Sequence, residues 1–385
     1  MIEILTPTPH EQVVSWLDSH TAPLPAEEAP VADAIGRVLA APVEAPEDLP
    51  PVPVAAVDGY ALRADATVGA SEYNPLSFSV KAAGAAGVSS SEALAVVNGE
   101  PVPEGASTVI PLVDTEVRES MLDVYTPIAA GENVIPAGRE LRRGDCILDA
   151  GRVLRAADAA LLLESGVSTV GVIRRPRVSI MVVRRDILDT SGPMIRALVA
   201  QDGGVGVDPG IQDEDDVGSA LARAECDLLL VIGGSGVGPN DRAAGALARD
   251  GEAIFRGVAI NPGDTTTVGR IRETPVAILP GPPLAALFAY DAVAGRTVRT
   301  LAGKQPGWPY GSRRARLTRK VASSLGRLEC CRVRVSGDAA EPLAVADNRT
   351  LATAVRADGF VLVPPHSEGF PEGAEVLVHY YDQRF

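Results

Sequence analysis

The chain has 385 residues, 46% hydrophobic but only 4% aromatic, with a formal net charge of −15. That length exceeds one ordinary core and predicts two to four domains, their interiors built from Val, Leu, Ile and Ala. The negative balance argues against a nucleic-acid or anionic-membrane surface, and no apolar run reaches the ~18 residues of a membrane span.

Four cysteines, Cys146, Cys226, Cys330 and Cys331, show no CxxC and no metal-ligand spacing, which predicts reduced, structural thiols. The adjacent pair Cys330–Cys331 is expected to point to opposite faces of a strand. The opening MIEILTPTPHEQ lacks a basic region followed by an apolar core, so no export signal is read and a cytoplasmic location is expected.

In chain order, residues 7–20 read as a short amphipathic helix, with Val13, Val14, Trp16 and Leu17 on its apolar side. Residues 30–40 read as a second helix. The prolines at Pro42, Pro46, Pro50, Pro51 and Pro53 then forbid helix and predict an extended run turning at Asp58–Gly59. Between Leu76 and Val134, the segments FSVKAAG, ALAVVNG, STVIPLVDTEV and LDVYTPI predict a small β-rich insertion, punctuated by Gly, Pro, Asn and Asp. A helix follows over 155–166, ending on glycine.

From residue 175 to 303 apolar strand-like runs alternate with helical patterns: VSIMVV, a helix over 192–201, VGVDPGI, a helix in DEDDVGSALARAE, LLLVI, a helix near 243–249, AIFRGVAI, TPVAILP and a long closing helix. That alternation predicts a three-layer α/β domain with a mostly parallel sheet. Residues 304–385 return to alternating strands without helices and predict a small C-terminal barrel or sandwich. The fold class is therefore multidomain α/β plus β. The expected boundaries are 1–44 with 138–174, then 45–137, 175–303 and 304–385.

Ligands of parallel sheets bind beyond the carboxyl ends of the strands. The loops of interest are 184–189, 233–241, 261–265 and 280–283. The most informative is CDLLLVIGGSGVGPND (226–241): a buried strand, a glycine-rich turn, then a helix start. Gly233, Gly234, Gly236 and Gly238 would let backbone N–H groups approach an anion, as in a phosphate cradle. A tight βα turn that binds nothing has the same pattern. The four histidines lie outside these loops and no GxSxG elbow appears, which argues against Ser-His-Asp hydrolysis. The turn also lacks the GxGxxG order of a nicotinamide site.

The order of motifs is specific. VDGYALRADA (57–66), NGEPVPEGASTVIPLVDTEV (98–117), IPAGRELRRGD (135–145), the 226–241 stretch, INPGD (260–264), ILPGPP (278–283) and GRLECCRV (326–333) resemble the molybdopterin molybdenumtransferase family, the bacterial MoeA type and the gephyrin E domain, over nearly the whole chain. The resemblance implies a homodimer. Its site would lie between the α/β domain of one subunit and the insertion domain of the other. It also implies a reaction in which molybdate enters the dithiolene of molybdopterin, drawing on the adenylylated pterin and on Mg2+.

Carried over residue by residue, the resemblance assigns chemistry to Asp58, Asp186 and Asp227, and a metal to Asp58, Asp186 and Asp241. Molybdopterin falls to Gly233, Gly234, Ser235, Gly238, Asn261, Gly263, Pro280 and Gly281, with Arg184 and Arg185 as anion partners. Asp58 could instead only form the turn, and Asp227 or Asp241 could cap a helix.

The chain departs from the family pattern where charge matters. Val183-Arg184-Arg185-Asp186 stands in place of Thr-Gly-Asp-Glu, and Asn261-Pro262-Gly263-Asp264-Thr265 in place of Lys-Pro-Gly-Lys-Pro. Each lost charge partner is worth on the order of 1–4 kcal/mol at contact in a partly wet site. Arg184 and Arg185 could replace the lysines as a phosphate fork. The expectation is a molybdenum cofactor biosynthesis protein that keeps pterin binding but has weakened insertase chemistry. The alternative is a non-catalytic carrier, sensor or dimeric scaffold serving a molybdoenzyme or another biosynthesis protein.

Overall fold

The computed structural model describes residues 6–183, 188–207, 211–212, 218, 225–238, 241–343 and 350–384. The chain folds as two compact units: Met1–Glu27, Gly36–Ala40 and Gly171–Phe385 form the first, and Glu28–Ile35 with Ala41–Val170 the second.

The second unit carries a six-stranded sheet in the order Thr108–Pro111, Gly59–Leu62, Glu92–Val96, Leu76–Val80, Met121–Val124, Thr115–Arg118. The run STVIPLVDTEV is two strands, not one, because Pro111 leads into a single 3-10 turn, Leu112–Asp114. Asp58–Gly59 is likewise not the apex of a turn. Gly59 opens an inner strand bonded on both sides, opposite Val96 and Pro111. A Cβ at Gly59 would collide with the carbonyl oxygen of Ile110, so the strands can pair this closely only with glycine there. Leu62, Phe78, Ile110, Leu122 and Val124 form the core of this unit. The helix expected over 30–40 is a short 3-10 turn, Val31–Ala34.

In the first unit the α/β sheet runs Val205–Val207, Arg177–Val183, Leu228–Ile232, Thr274–Leu279, Thr267–Ile271, Glu252–Arg256, with Ile211–Gln212 also pairing Arg177–Val183. The first four are mutually parallel, and Thr267–Ile271 alone runs against them, pairing antiparallel with both Thr274–Leu279 and Glu252–Arg256, so the sheet is mostly parallel. Leu228–Ile232 is buried at every position, as an inner parallel strand covered on both faces should be. Its even-numbered residues join a core with Ile180, Ile195 and Phe288, and its odd-numbered ones join Met181, Ala243, Leu247 and Ile278. The helix expected in DEDDVGSALARAE falls outside the described residues, Gly218 and Glu225 excepted. The closing helix is Pro283–Ala289, a π-helical turn Tyr290–Ala294, and Gly295–Leu301.

The C-terminal strands close into a barrel: Leu328–Ser336, Ala339–Pro342, Tyr310–Leu317, Glu375–Arg384, Gly359–Val363 and back to Leu328–Ser336. Closure removes the exposed sheet edges that a sandwich would leave. A short helix, Leu351–Arg356, interrupts the run expected to be helix-free.

Cys330 and Cys331 do point to opposite faces, one into the core shared with the α/β sheet and one into the barrel interior. Burial pushes their thiols up to about 11 and about 12. Cys146 is exposed. Alkylation of the native protein at pH 8 is therefore expected to label Cys146 while Cys330 and Cys331 stay unmodified until denaturant is added. Early labelling of the adjacent pair would contradict the assigned burial.

Candidate functional site

The glycine turn leaves the carboxyl end of Leu228–Ile232. Gly233 N–H donates to Leu279 O of the neighbouring strand at 2.9 Å. Gly233 and Gly234 then take positive φ values of 98° and 68°, a conformation that L side chains rarely adopt. A Cβ on Gly233 would lie 2.8 Å from Val183 O, and one on Gly234 2.9 Å from Ala243 Cβ. These two glycines let the chain fold back between the strand end and helix Ala243–Asp250, and the turn is locked by Ala244 N–H donating to Gly234 O at 3.3 Å.

Asp241 closes the far side. Its Oδ2 accepts the Gly238 N–H at 3.0 Å, and Asp241 N–H donates to Gly238 O at the same distance. The same carboxylate oxygen would lie 2.5 Å from a Cβ on Gly236. Asp241 therefore does not cap the helix, whose first-turn cap carries no side-chain bond; it braces the turn from within. Every glycine of the turn thus has a packing reason inside the chain as well as the anion-binding use read from the sequence.

Two further loops meet this turn. Ser235, 4% exposed, shares a 2.9 Å hydroxyl–hydroxyl hydrogen bond with Thr265 of the INPGD loop. Gly281, after strand Thr274–Leu279, packs against Gly233, with 3.8 Å between a Cβ built on one and the Cα of the other. The structure thus brings together Gly233, Gly234, Ser235 and Gly238 with the 261–265 and 280–281 loops. Gly263, at φ 120°, sits inside the INPGD loop and faces Ile260 and Ala289. The Asn261 side chain turns toward the barrel, where its Nδ2 donates to Glu329 Oε1 at 2.8 Å. Asp264, standing where the family pattern has a lysine, has Arg327 Nη1 at 3.4 Å.

Asp227 lies at the opposite, amino-terminal end of the same strand. It accepts both guanidinium nitrogens of Arg174, at 3.0 and 2.7 Å, and the Arg177 N–H at 2.7 Å. Burial opposes its charge, but the Arg174 fork and the Arg177 amide outweigh it and hold the carboxyl below the usual range. Within this unit the strand separates Asp227 from Gly233 by about 20 Å, six steps at roughly 3.3 Å each. Asp58 belongs to the other unit, is exposed, and accepts the Asn98 N–H at 2.8 Å. Arg184, Arg185 and Asp186 lie outside the described residues. Among the described residues no group of three or more His, Cys, Asp or Glu side chains is placed to hold a metal ion, and none of the helices is long and apolar enough to cross a membrane.

Sequence reasoning missed Thr265, Arg327 and Glu329. Glu329 had one visible signal, a lone acid in an otherwise apolar strand pattern, LECCRV. Nothing in the sequence shows that this strand pairs in parallel with Ile260–Asn261, some 68 residues earlier.

A mostly parallel α/β sheet with a glycine turn after its central strand, a β-rich segment before it in the chain and a closed barrel after it, defines a multidomain α/β plus β protein. Three family models match in order: the MoeA N-terminal region (domains I and II) over residues 8–166, a probable molybdopterin binding domain over 177–300, and the MoeA C-terminal region (domain IV) over 314–381. The chain belongs to the MoeA family. It is 27% identical over 395 residues to a Methanocaldococcus jannaschii protein named for molybdopterin biosynthesis, covering 96% of this chain and 95% of the other. It is 25% identical over 335 residues to a molybdopterin molybdenumtransferase of Staphylococcus aureus, covering 80% and 79%. A solved molybdopterin biosynthesis MoeA protein of Pyrococcus horikoshii superposes with a TM-score of 0.78 at 28% identity, over 97% of this chain and 99% of that one.

The placement of Asp227 has a measurable consequence. A carboxyl held below its usual range contributes stability that is present above about pH 4 and fades as pH falls through the depressed value. Asp227→Asn is expected to cost about 1–2 kcal/mol at pH 7, the lower part of the range for a charged hydrogen bond because Arg174 is 33% exposed. The deficit relative to wild type should shrink on acidification. Denaturant melts at pH 7 and pH 3 measure it, and a variant as stable as wild type at pH 7 would contradict the structural role.

Proposed function

We propose that this chain works in molybdenum cofactor biosynthesis by binding molybdopterin, with the pterin phosphate on the Gly233–Gly238 turn. The supporting observation is the turn itself: two consecutive positive-φ glycines at the end of a buried parallel strand, with helix Ala243–Asp250 beginning beyond the turn. With the Gly233 N–H bonded to Leu279 O and the Gly238 N–H to Asp241, the amides between them are the ones offered to the anion, and the helix start adds partial positive charge. The chain's membership of the MoeA family supplies the ligand class.

Transfer of molybdate to that pterin is the more demanding step, because an oxyanion must be held beside a phosphate. The loop where the family pattern has two lysines holds Asn261 and Asp264, and the Asp264 charge is set against Arg327 rather than aimed at an anion. Asp58 remains as an exposed carboxylate fixed by one backbone N–H. In a homodimer, the insertion domain of a second copy would present it to the turn. On this reading the protein is a binder whose insertase rate, with Mg2+ and adenylylated molybdopterin, falls well below that of a lysine-bearing relative.

Calorimetric titration with molybdopterin is expected to show one site per chain, weakening with added salt. Turnover of adenylylated molybdopterin with molybdate and Mg2+ is expected to be slow, and Asp264→Lys to raise it. Absence of measurable molybdopterin binding would overturn the proposal. Fast turnover by the unmodified chain would restore the full insertase reading.

A further inference from the structure

Glu329 has no part in the chemistry described so far, yet it is a carboxylate only 5% exposed, on the barrel strand Leu328–Ser336. A charge is not left there without partners. Asn261 Nδ2 donates to its Oε1 at 2.8 Å and Ser323 Oγ to its Oε2 at 3.3 Å. Burial raises its carboxyl above the usual range, while the bonds from Asn261 and Ser323 and the charge of Arg327 pull it back. The backbone reinforces the side chains: Ile260–Asn261 pairs in parallel with Leu328–Glu329.

From Asn261 the chain has little freedom before it reaches the glycine turn. Thr266 donates to Gly263 O from both its N–H, at 3.0 Å, and its Oγ1, at 2.6 Å. Val258 N–H donates to Asp264 O at 3.1 Å, so the loop is cross-braced at its base. Thr265 then meets Ser235 of the turn at 2.9 Å. Hydrogen bonds at both ends and the short braced chain between them join Glu329, Asn261, the loop, Thr265 and Ser235.

We infer that Glu329 is a positioning residue: by fixing Asn261 it sets the 261–265 loop, and through the Thr265–Ser235 bond it holds the glycine turn in its anion-ready shape. The C-terminal barrel thus acts on the turn without touching its ligand. This role deepens the proposed function and rests on it, because the turn that Glu329 positions is the one assigned to the pterin phosphate.

Hydrogen exchange on the full-length, ligand-free chain tests it. Glu329→Ala is expected to raise exchange in peptides spanning 261–265 and 233–238 roughly tenfold, the opening expected when one buried charged hydrogen bond is lost. Glu329→Gln keeps an acceptor for Asn261 and should restore most of the protection. Thr265→Val, which cuts only the last link, should raise exchange at 233–238 and leave 328–336 unchanged; it serves equally if the alanine variant does not fold. Faster exchange confined to 328–336, a uniform rise across the chain, or no effect of Thr265→Val at 233–238 would overturn the inference. Because no ligand is present, a wild-type chain that fails to bind molybdopterin contradicts the proposed function and not the coupling of Glu329 to the turn.

Discussion

The carboxyl end of strand Leu228–Ile232 has almost no room, and that shortage of space organises the site. The strand is buried along its whole length between two parallel neighbours. A chain leaving such a position must turn at once, against Val183 O on one side and Ala243 on the other. Two positive-φ glycines solve that problem: Gly233 donates its N–H to Leu279 O and Gly234 turns the chain back toward the helix. The shape that packing demands is also a shape that suits an anion. This is why a scaffold of this kind can persist while the charged groups around it change.

Those charges have been rearranged. An anion site on a protein of net charge −15 needs local relief from the overall field. In the INPGD loop the acid at Asp264 is set against Arg327, and Asn261 is committed to Glu329. The loop is held by the barrel through a buried carboxylate and a partly exposed ion pair, so its polar groups serve architecture before they serve a ligand. Asp227 shows the same economy at the other end of the strand: what reads as a catalytic acid by motif is the centre of a structural fork with Arg174.

Much of this was legible in the sequence, for physical reasons that differ by region. The alternation of apolar runs and helical patterns between 175 and 303 marked the parallel sheet, because strands buried on both faces must be apolar throughout. Cys330 and Cys331 were placed on opposite faces by the two-residue period of a strand alone. Residues 30–40 misled, since their apolar spacing suits a helix but the segment makes only one 3-10 turn. Asp58–Gly59 misled for another reason: glycine there answers a close approach between strands, which local turn preferences cannot reveal. Asp227 was drawn toward the site by motif, and its true position follows from strand direction. Glu329 stood out only as a lone acid in an apolar run; its role, like those of Arg327 and Thr265, was illegible because it depends on pairings between segments far apart in the chain.

Receipt of the pterin phosphate by the glycine turn is tested most directly by hydrogen exchange with and without saturating molybdopterin. The expected result is new protection at residues 233–238, with a smaller effect at 261–265 and none at Asp227. Binding accompanied by protection elsewhere, with exchange at 233–238 unchanged, would contradict it.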